Sequence, residues 1–303
     1  MESGKIPEFP EFTGIELIHK EAIEECFAKA EPEASEFIFA EMFAWRKAAH
    51  ISVSNLKGFF IFKYDKKGEK FITPPLCSEH ITESLKNIFD FYKDKREKIL
   101  IKPVTDRAME KAESTGEDFI IEDDRDNYDY VYKAESLAFL RGRKYSKKRN
   151  QIKKFNRNYD FEVSELTPEN TEKALMFLQE WSAVKQVEKT PHLKAETEAV
   201  KTMLENFGKL GIFGVMLYVN GVIKGFTIGA ELNSDTAVVL VEKADPEIKG
   251  IYQAINSIFA ERLSEKYKWI NRQQDIGAPG IRRAKMSYYP DHFIIKKKLR
   301  RRG

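Results

Sequence analysis

The sequence predicts an α/β protein made of two domains built alike, and three observations carry that expectation. The chain has 303 residues, room for two domains at roughly 100–200 residues each. Strand and helix signals alternate along its whole length. The order of those signals restarts near residue 158, after a strongly basic stretch, which divides the chain into 1–158 and 159–303.

In the first half, residues 34–47 (ASEFIFAEMFAWRK) place Phe37, Met42, Phe43 and Trp45 on an expected helix. GFFIFKY at 58–64 reads as a strand, followed by a turn at Lys66–Gly68 and a second strand near 70–73. Ile81, Leu85, Ile88, Phe89 and Tyr92 recur at three- and four-residue steps and predict a helix over 80–93. A strand at Ile99–Ile101, a helix over 105–114, a strand near 118–121 and an extended segment at Tyr128–Tyr132 complete this half.

The second half opens with a strand at Phe161–Leu166. Thr167-Pro168-Glu169 then supplies an N-cap residue and a first-turn proline for a helix over 168–184. A second helix is expected over 196–207. Three strands follow at 212–219, 222–231 and 236–242, the first two joined by Asn220-Gly221, a strong hairpin signal. Ile251, Ile255, Ile258, Phe259 and Leu263 stripe a long helix, and Lys268–Asn271 and His292–Lys298 read as the last strands. Helix, helix, three antiparallel strands, helix, strand, loop, strand is the layout of a GNAT-like domain (the acyl-CoA N-acyltransferase fold). A looser version of the order fits the first half, so the expected fold is two tandem GNAT-like domains with mixed sheets and flanking helices.

The apolar share of 42% is ordinary, and no run approaches the length a membrane helix needs. MESGKIPEFPEF lacks the pattern of a signal peptide. Cys26 and Cys77 offer neither a disulfide framework nor a metal-ligand spacing, so a cytoplasmic protein without bound metal or cofactor is expected. The net charge of +3 conceals segregation: nine basic and no acidic residues lie between Arg141 and Arg157. Lys296–Arg302 is basic except at Leu299, while Glu122, Asp123, Asp124, Asp126 and Asp129 form an acidic cluster. Such blocks read either as solvated faces or as surfaces for a polyanion.

On a helix, Tyr145, Ile152, Phe155 and Tyr159 share one stripe, and Lys144, Lys147, Lys148, Gln151 and Lys154 a neighbouring one. That arrangement docks one face and offers lysines to a phosphate backbone or to an anionic membrane surface. The stretch 269–290 gathers Asp275, Gly277, Arg282, Arg283, Lys285, Tyr288 and Tyr289, with a tight turn expected at Pro279-Gly280. No GxSxG motif is present, and His19, His50, His80, His192 and His292 are scattered. Catalysis by orientation rather than through a covalent intermediate is the expectation.

Three segments, Tyr128–Tyr159, Glu242–Asn256 and Trp269–Pro290, resemble the bacterial family related to the C-terminal soluble domain of lysyl-phosphatidylglycerol synthase, which is similar to the Fem transferases of peptidoglycan. The resemblance implies transfer of an aminoacyl group from charged tRNA to an amine or hydroxyl on a small-molecule, lipid or cell-wall acceptor. It makes Lys285 the expected catalytic ammonium and puts Asp275 near the acceptor. Arg282, Arg283, Tyr288, Tyr289, Glu242 and Lys249 become substrate-binding candidates, and Lys144, Lys147, Lys148 and Lys154 polyanion-binding ones. Two alternatives stay open: an acyl-CoA-dependent N-acyltransferase and a non-catalytic polyanion-binding module. Against the first, aligning Gly250 with the Q/R-x-x-G-x-G/A motif of acetyl-CoA users puts Glu247 and Tyr252 at unfavourable positions.

Overall fold

The computed structural model describes residues 4–66, 68–76, 81–112 and 119–302. Cys77 and His80 lie outside the described residues. The chain forms two compact units. The first comprises residues up to Asp129 with Gln274–Ala278 and Phe293 onward, and the second Tyr130–Gln273 with Pro279–His292.

The first unit runs through β1 (Thr13–Gly14), α1 (Lys20–Ala30), α2 (Phe39–Trp45), β2 (Ser52–Leu56), β3 (Phe59–Lys66), β4 (Glu69–Ile72), α3 (Ile81–Asp94), β5 (Leu100–Thr105), α4 (Asp106–Ala112) and β6 (Phe119–Asp123). The chain continues through β7 (Asp129–Lys133), α5 (Ala134–Phe139), α6 (Ser146–Asn158), β8 (Phe161–Leu166), α7 (Thr171–Val184), α8 (Pro191–Glu205), β9 (Ile212–Val219), β10 (Val222–Asn233), β11 (Thr236–Ala244), α9 (Ile251–Ser264), β12 (Trp269–Asn271), α10 (Pro279–Met286), β13 (His292–Ile294) and β14 (Lys296–Arg301).

Among the described residues there are two seven-stranded sheets, ordered β1-β2-β3-β4-β5-β14-β6 and β8-β9-β10-β11-β12-β7-β13. Place by place they repeat one another. In each, the second to fourth strands pair antiparallel and the fourth pairs parallel with the fifth. The chain is therefore a tandem GNAT fold. In each sheet, the strand between the fifth and the last comes from the other half of the sequence. β7 fills that place in the second sheet and β14 fills it in the first.

That exchange corrects three expectations. The division falls at Asp129/Tyr130 instead of near 158, because β7 pairs with β12 and the basic helix α6 packs on α9. The single strand expected over His292–Lys298 is two strands in two sheets. The basic C-terminal run is an interior strand flanked by β5 and β6, not a tail offered to a polyanion. Two of its charges meet the acidic cluster, Lys298 3.1 Å from Asp124 and Arg300 paired with Glu122, while Lys297 lies 2.8 Å from Asp106 and Arg301 pairs with Asp90.

Lys296 is fully buried, with Nζ 2.7 Å from Asp129 Oδ1 and 2.6 Å from Glu36. Asp129 also accepts from the backbone N–H and the hydroxyl of Ser35 at 2.8 and 2.9 Å, and Glu36 from Gln274 at 2.9 Å. These bonds hold Ser35 and Glu36 outside the helix, which begins at Phe39 where the sequence had suggested residue 34. Likewise α7 starts at Thr171, because Asn170 Oδ1 accepts from Thr167 N–H and closes a turn ahead of it.

In the second unit, Asn220 and Gly221 both take positive φ (51° and 77°), as a two-residue hairpin requires. Phe226, Ile228 and Val238 of the strands and Ile255 and Phe259 of α9 are buried, and the Phe226 ring lies edge-on to Phe177 of α7 at 6.1 Å. The docking stripe of α6 is as expected, with Tyr145 and Phe155 buried. Phe155 packs its ring 5.4 Å from Tyr159 and 5.1 Å from Phe161. No described helix is long and apolar enough to cross a membrane.

Candidate functional site

The parallel ladder between β11 and β12 is short. It joins Thr236 to Trp269, Ala237 to Ile270 and Val238 to Asn271, and ends there. β11 runs on to Ala244, while the chain after β12 leaves that ladder and is held to Tyr130 of β7 by backbone bonds. Carboxyl ends of parallel strands are where α/β sheets open to ligands. Just past the end of this ladder, Glu242 from β11, Arg272 after β12, Asn256 from α9, Lys148 from α6 and Tyr288 after α10 form one chain of side-chain contacts.

Arg272 and Glu242 are 14% and 16% exposed, and one guanidinium nitrogen lies 3.3 and 3.4 Å from the two carboxylate oxygens. The guanidinium carbon sits 5.1 Å from the centre of the Tyr288 ring, and Lys148 Nζ sits 4.1 Å from it. Burial pushes the Tyr288 phenol up to about 12, with Arg272 opposing and Glu242 adding. Burial also lowers the Lys148 ammonium below the usual lysine range; Arg272 adds to that and Glu242 opposes it. For Arg272, burial works against the charge, but Glu242, Tyr132 and Tyr288 outweigh it and the net shift is upward.

The frame is built by backbone bonds. Tyr132 hydroxyl donates to the Lys285 carbonyl at 2.9 Å and Tyr145 hydroxyl to the Tyr288 carbonyl at 3.0 Å. Lys285 Nζ donates to the carbonyls of Arg272 and Gln273 at 2.6 and 3.1 Å. Its ammonium therefore clasps the segment that carries Arg272.

The other predicted residues fall as follows. Pro279 and Gly280 start α10, where a first-turn proline is tolerated. The turn lies earlier: fully buried Asp275 accepts from Gly277 N–H at 2.9 Å and lies 3.5 Å from Arg125, all within the first unit. Arg282 is half-buried and Arg283 exposed on α10, and Lys249 is exposed ahead of α9. Tyr289 is exposed, with its ring edge-on to Tyr145 and under Lys144. Lys147 and Lys154 stand exposed on α6 and Lys144 is exposed in the turn before it, whereas Lys148 is half-buried over Tyr288 and does not share their outward face. The spacing carries the reason: Lys148 is four residues before Ile152 and seven before Phe155, on the buried stripe itself. Sequence reasoning missed Arg272 and the role of Asn256; the signal for Arg272 was its place directly after a parallel strand.

Gly250 caps α9 with φ 92°, and a Cβ there would lie 2.7 Å from the Gln151 carbonyl oxygen. The backbone of α6 thus approaches the helix start where the coenzyme's pyrophosphate binds in acetyl-CoA users. Calorimetry should show no micromolar acetyl-CoA complex; a heat of binding in that range would contradict this reading.

The chain is thus a mixed α/β protein of two GNAT units, with a cluster of polar side chains in the second. Residues 27–297 match the family described as phosphatidylglycerol lysyltransferase, C-terminal, and the chain belongs to that family. A conserved protein of unknown function from Bacteroides thetaiotaomicron is 31% identical with a TM-score of 0.89, covering 95% of this chain and 98% of that one. The C-terminal domain of a putative lysylphosphatidylglycerol synthetase from Agrobacterium fabrum shares the fold, with TM-score 0.67 and 12% identity over 93% of this chain and 92% of that one. L-PGS from Bacillus licheniformis does so with TM-score 0.64 and 13% identity over 98% and 94%. An uncharacterised protein of Mycoplasmoides gallisepticum is 26% identical over 214 residues, which span 68% of this chain and 66% of that protein.

Proposed function

We propose that the second unit transfers an aminoacyl group from charged tRNA to an amine or hydroxyl acceptor. The observation that carries the reading is the half-buried Lys148–Tyr288–Arg272 arrangement just past the end of a parallel ladder, in a chain of this family. The acceptor attacks the ester carbonyl, and Arg272 steadies the oxygen as negative charge develops. Lys148, its proton loosened by burial, takes the acceptor's proton and returns it to the ribose hydroxyl as the ester C–O bond breaks. Lys285 is a positioning residue in this scheme, since it holds the carbonyl of Arg272. The exposed lysines of α6 take the tRNA backbone.

Incubating the protein with a mixed pool of charged tRNAs and a bacterial lysate, then searching by mass spectrometry for new aminoacylated products, tests the reading. A product made by the wild type and absent with Arg272→Ala is expected; identical product lists would refute it. Lys147→Glu with Lys154→Glu should weaken tRNA binding and lower the salt slope by about one per lysine. Lys148 is left unchanged because it faces inward. Salt-independent binding would rule out a phosphate-backbone site.

A further inference from the structure

Glu242 is an under-bonded carboxylate. Among the described residues its oxygens accept from Arg272 at 3.3 and 3.4 Å and from Asn256 Nδ2 at 3.3 Å. Hydrogen bonds between charged partners normally close to about 2.7–2.9 Å. All three contacts here are long, and Arg272 offers a single nitrogen where a two-pronged fork is the usual strong geometry. Beside this carboxylate stands a second anomaly. Asn256 is 4% exposed, its Nδ2 is directed at Glu242, and its Oδ1 is buried without any hydrogen-bond partner. A buried acceptor left unmade is costly and calls for an explanation in a partner the protein alone does not supply.

A loosely held carboxylate next to an orphaned amide oxygen brings together acceptors that the protein does not fully satisfy. The groups that face it are Arg272, Lys148 and Tyr288, and of these Lys148 rests on the Tyr288 ring instead of on the carboxylate. Such a niche fits a compact group with several N–H donors. A hydroxyl has a single proton to donate and would satisfy only one of these acceptors.

We propose that Glu242 and Asn256 Oδ1 form a subsite for a primary ammonium group of the substrate. The inference rests on the aminoacyl-transfer reading only for the source of that ammonium: the free α-amino group of the donor or the amine of the acceptor. In either case the niche makes the site selective for substrates with an unblocked amine, and Asn256 is a specificity-determining residue that no simple packing role explains.

The test is binding to the full chain without tRNA, followed by calorimetry and thermal shift. Glycinamide stands for the donor, ethanolamine for an amine acceptor, and N-acetylglycinamide is the blocked control. Glycinamide or ethanolamine should bind in the millimolar range and raise the Tm, whichever does so identifying the source, while the blocked amide should do neither. Asn256→Leu keeps the volume and removes the orphan, so the ligand-free Tm should hold or rise while binding weakens at least tenfold. Glu242→Gln, which keeps the shape and removes the charge, should weaken binding similarly. Equal binding of blocked and free amides, undiminished binding by Asn256→Leu, or no binding by the wild type would each overturn the subsite. Aminoacyl transfer that persists unchanged in Asn256→Leu would remove the subsite and leave the proposed function standing. Amine binding without any transfer would do the reverse.

Discussion

Replacing Lys296 by Met lowers the free energy of unfolding at neutral pH by about 3–5 kcal/mol, the cost of leaving buried charges without their counterion. Two carboxylates lose their partner at once, because Lys296 serves both Asp129 and Glu36. The sign with pH is defined. In the wild type, burial opposes the Lys296 charge, but Asp129 and Glu36 outweigh it and raise its pKa. Its stabilising contribution is therefore complete below the ordinary lysine range and fades only as pH climbs through the raised value. Burial raises Glu36 first, with Lys296 opposing and Asp129 adding. Removing Lys296 removes that opposition, so in the variant the folded state binds more protons than the unfolded chain at mildly acidic pH. The deficit should shrink between pH 7 and pH 5. Denaturant titrations at the two pH values measure this, and an unchanged midpoint at pH 7 would refute it. Adding Glu36→Gln and Asp129→Asn to the variant should recover part of the loss.

The second large effect is on rate. Arg272→Ala should lower kcat by about 100- to 1,000-fold, the usual consequence of losing one charge-stabilising donor, with a smaller change in KM. Lys148→Met should cost about 100-fold or more, as expected for loss of a general base. With the wild type, the rate should rise as pH increases through the Lys148 pKa, at a pH below the usual lysine range because burial lowers it. Lys148→Arg keeps the charge but does not titrate there, so the rising limb should vanish. A pH profile shared by the wild type and Lys148→Arg would exclude Lys148 as the base. Lys285→Ala should behave differently. It releases two carbonyls that the ammonium now satisfies, so thermal stability and rate should fall together.

What the sequence makes legible is what neighbours in the chain decide. The stripe of α6, the Asn220-Gly221 hairpin and the three strands 212–242 all follow from local periodicity and turn chemistry. Two opposite blocks of charge were also visible, but their meeting was not: β6 and β14 pair across almost the whole intervening sequence, and nothing local announces it. The candidate site shows the same division. Lys148 was noticed for its charge and set on the wrong face, though its spacing from Phe155 put it on the buried stripe. Arg272 sits in a stretch read for its later residues, and its importance comes from where a three-residue ladder stops. Glu242 was picked out from the resemblance, while the niche it forms with Asn256 depends on the packing of α9 against β11.

The exchanged strands have a consequence for how the protein is made. Translation delivers residues in order, and domains generally fold as they emerge, the N-terminal one first. Here the first sheet cannot close when its own stretch leaves the ribosome, because the strand that separates β5 from β6 comes after every strand of the second sheet in the chain. Until then β5 and β6 lack their shared neighbour, and Asp129 and Glu36 wait for the ammonium of Lys296. Completion of the N-terminal unit therefore waits until β14 has followed the strands of the second sheet out of the ribosome, and a chain that stops before Lys296 yields two units of which the earlier is the incomplete one.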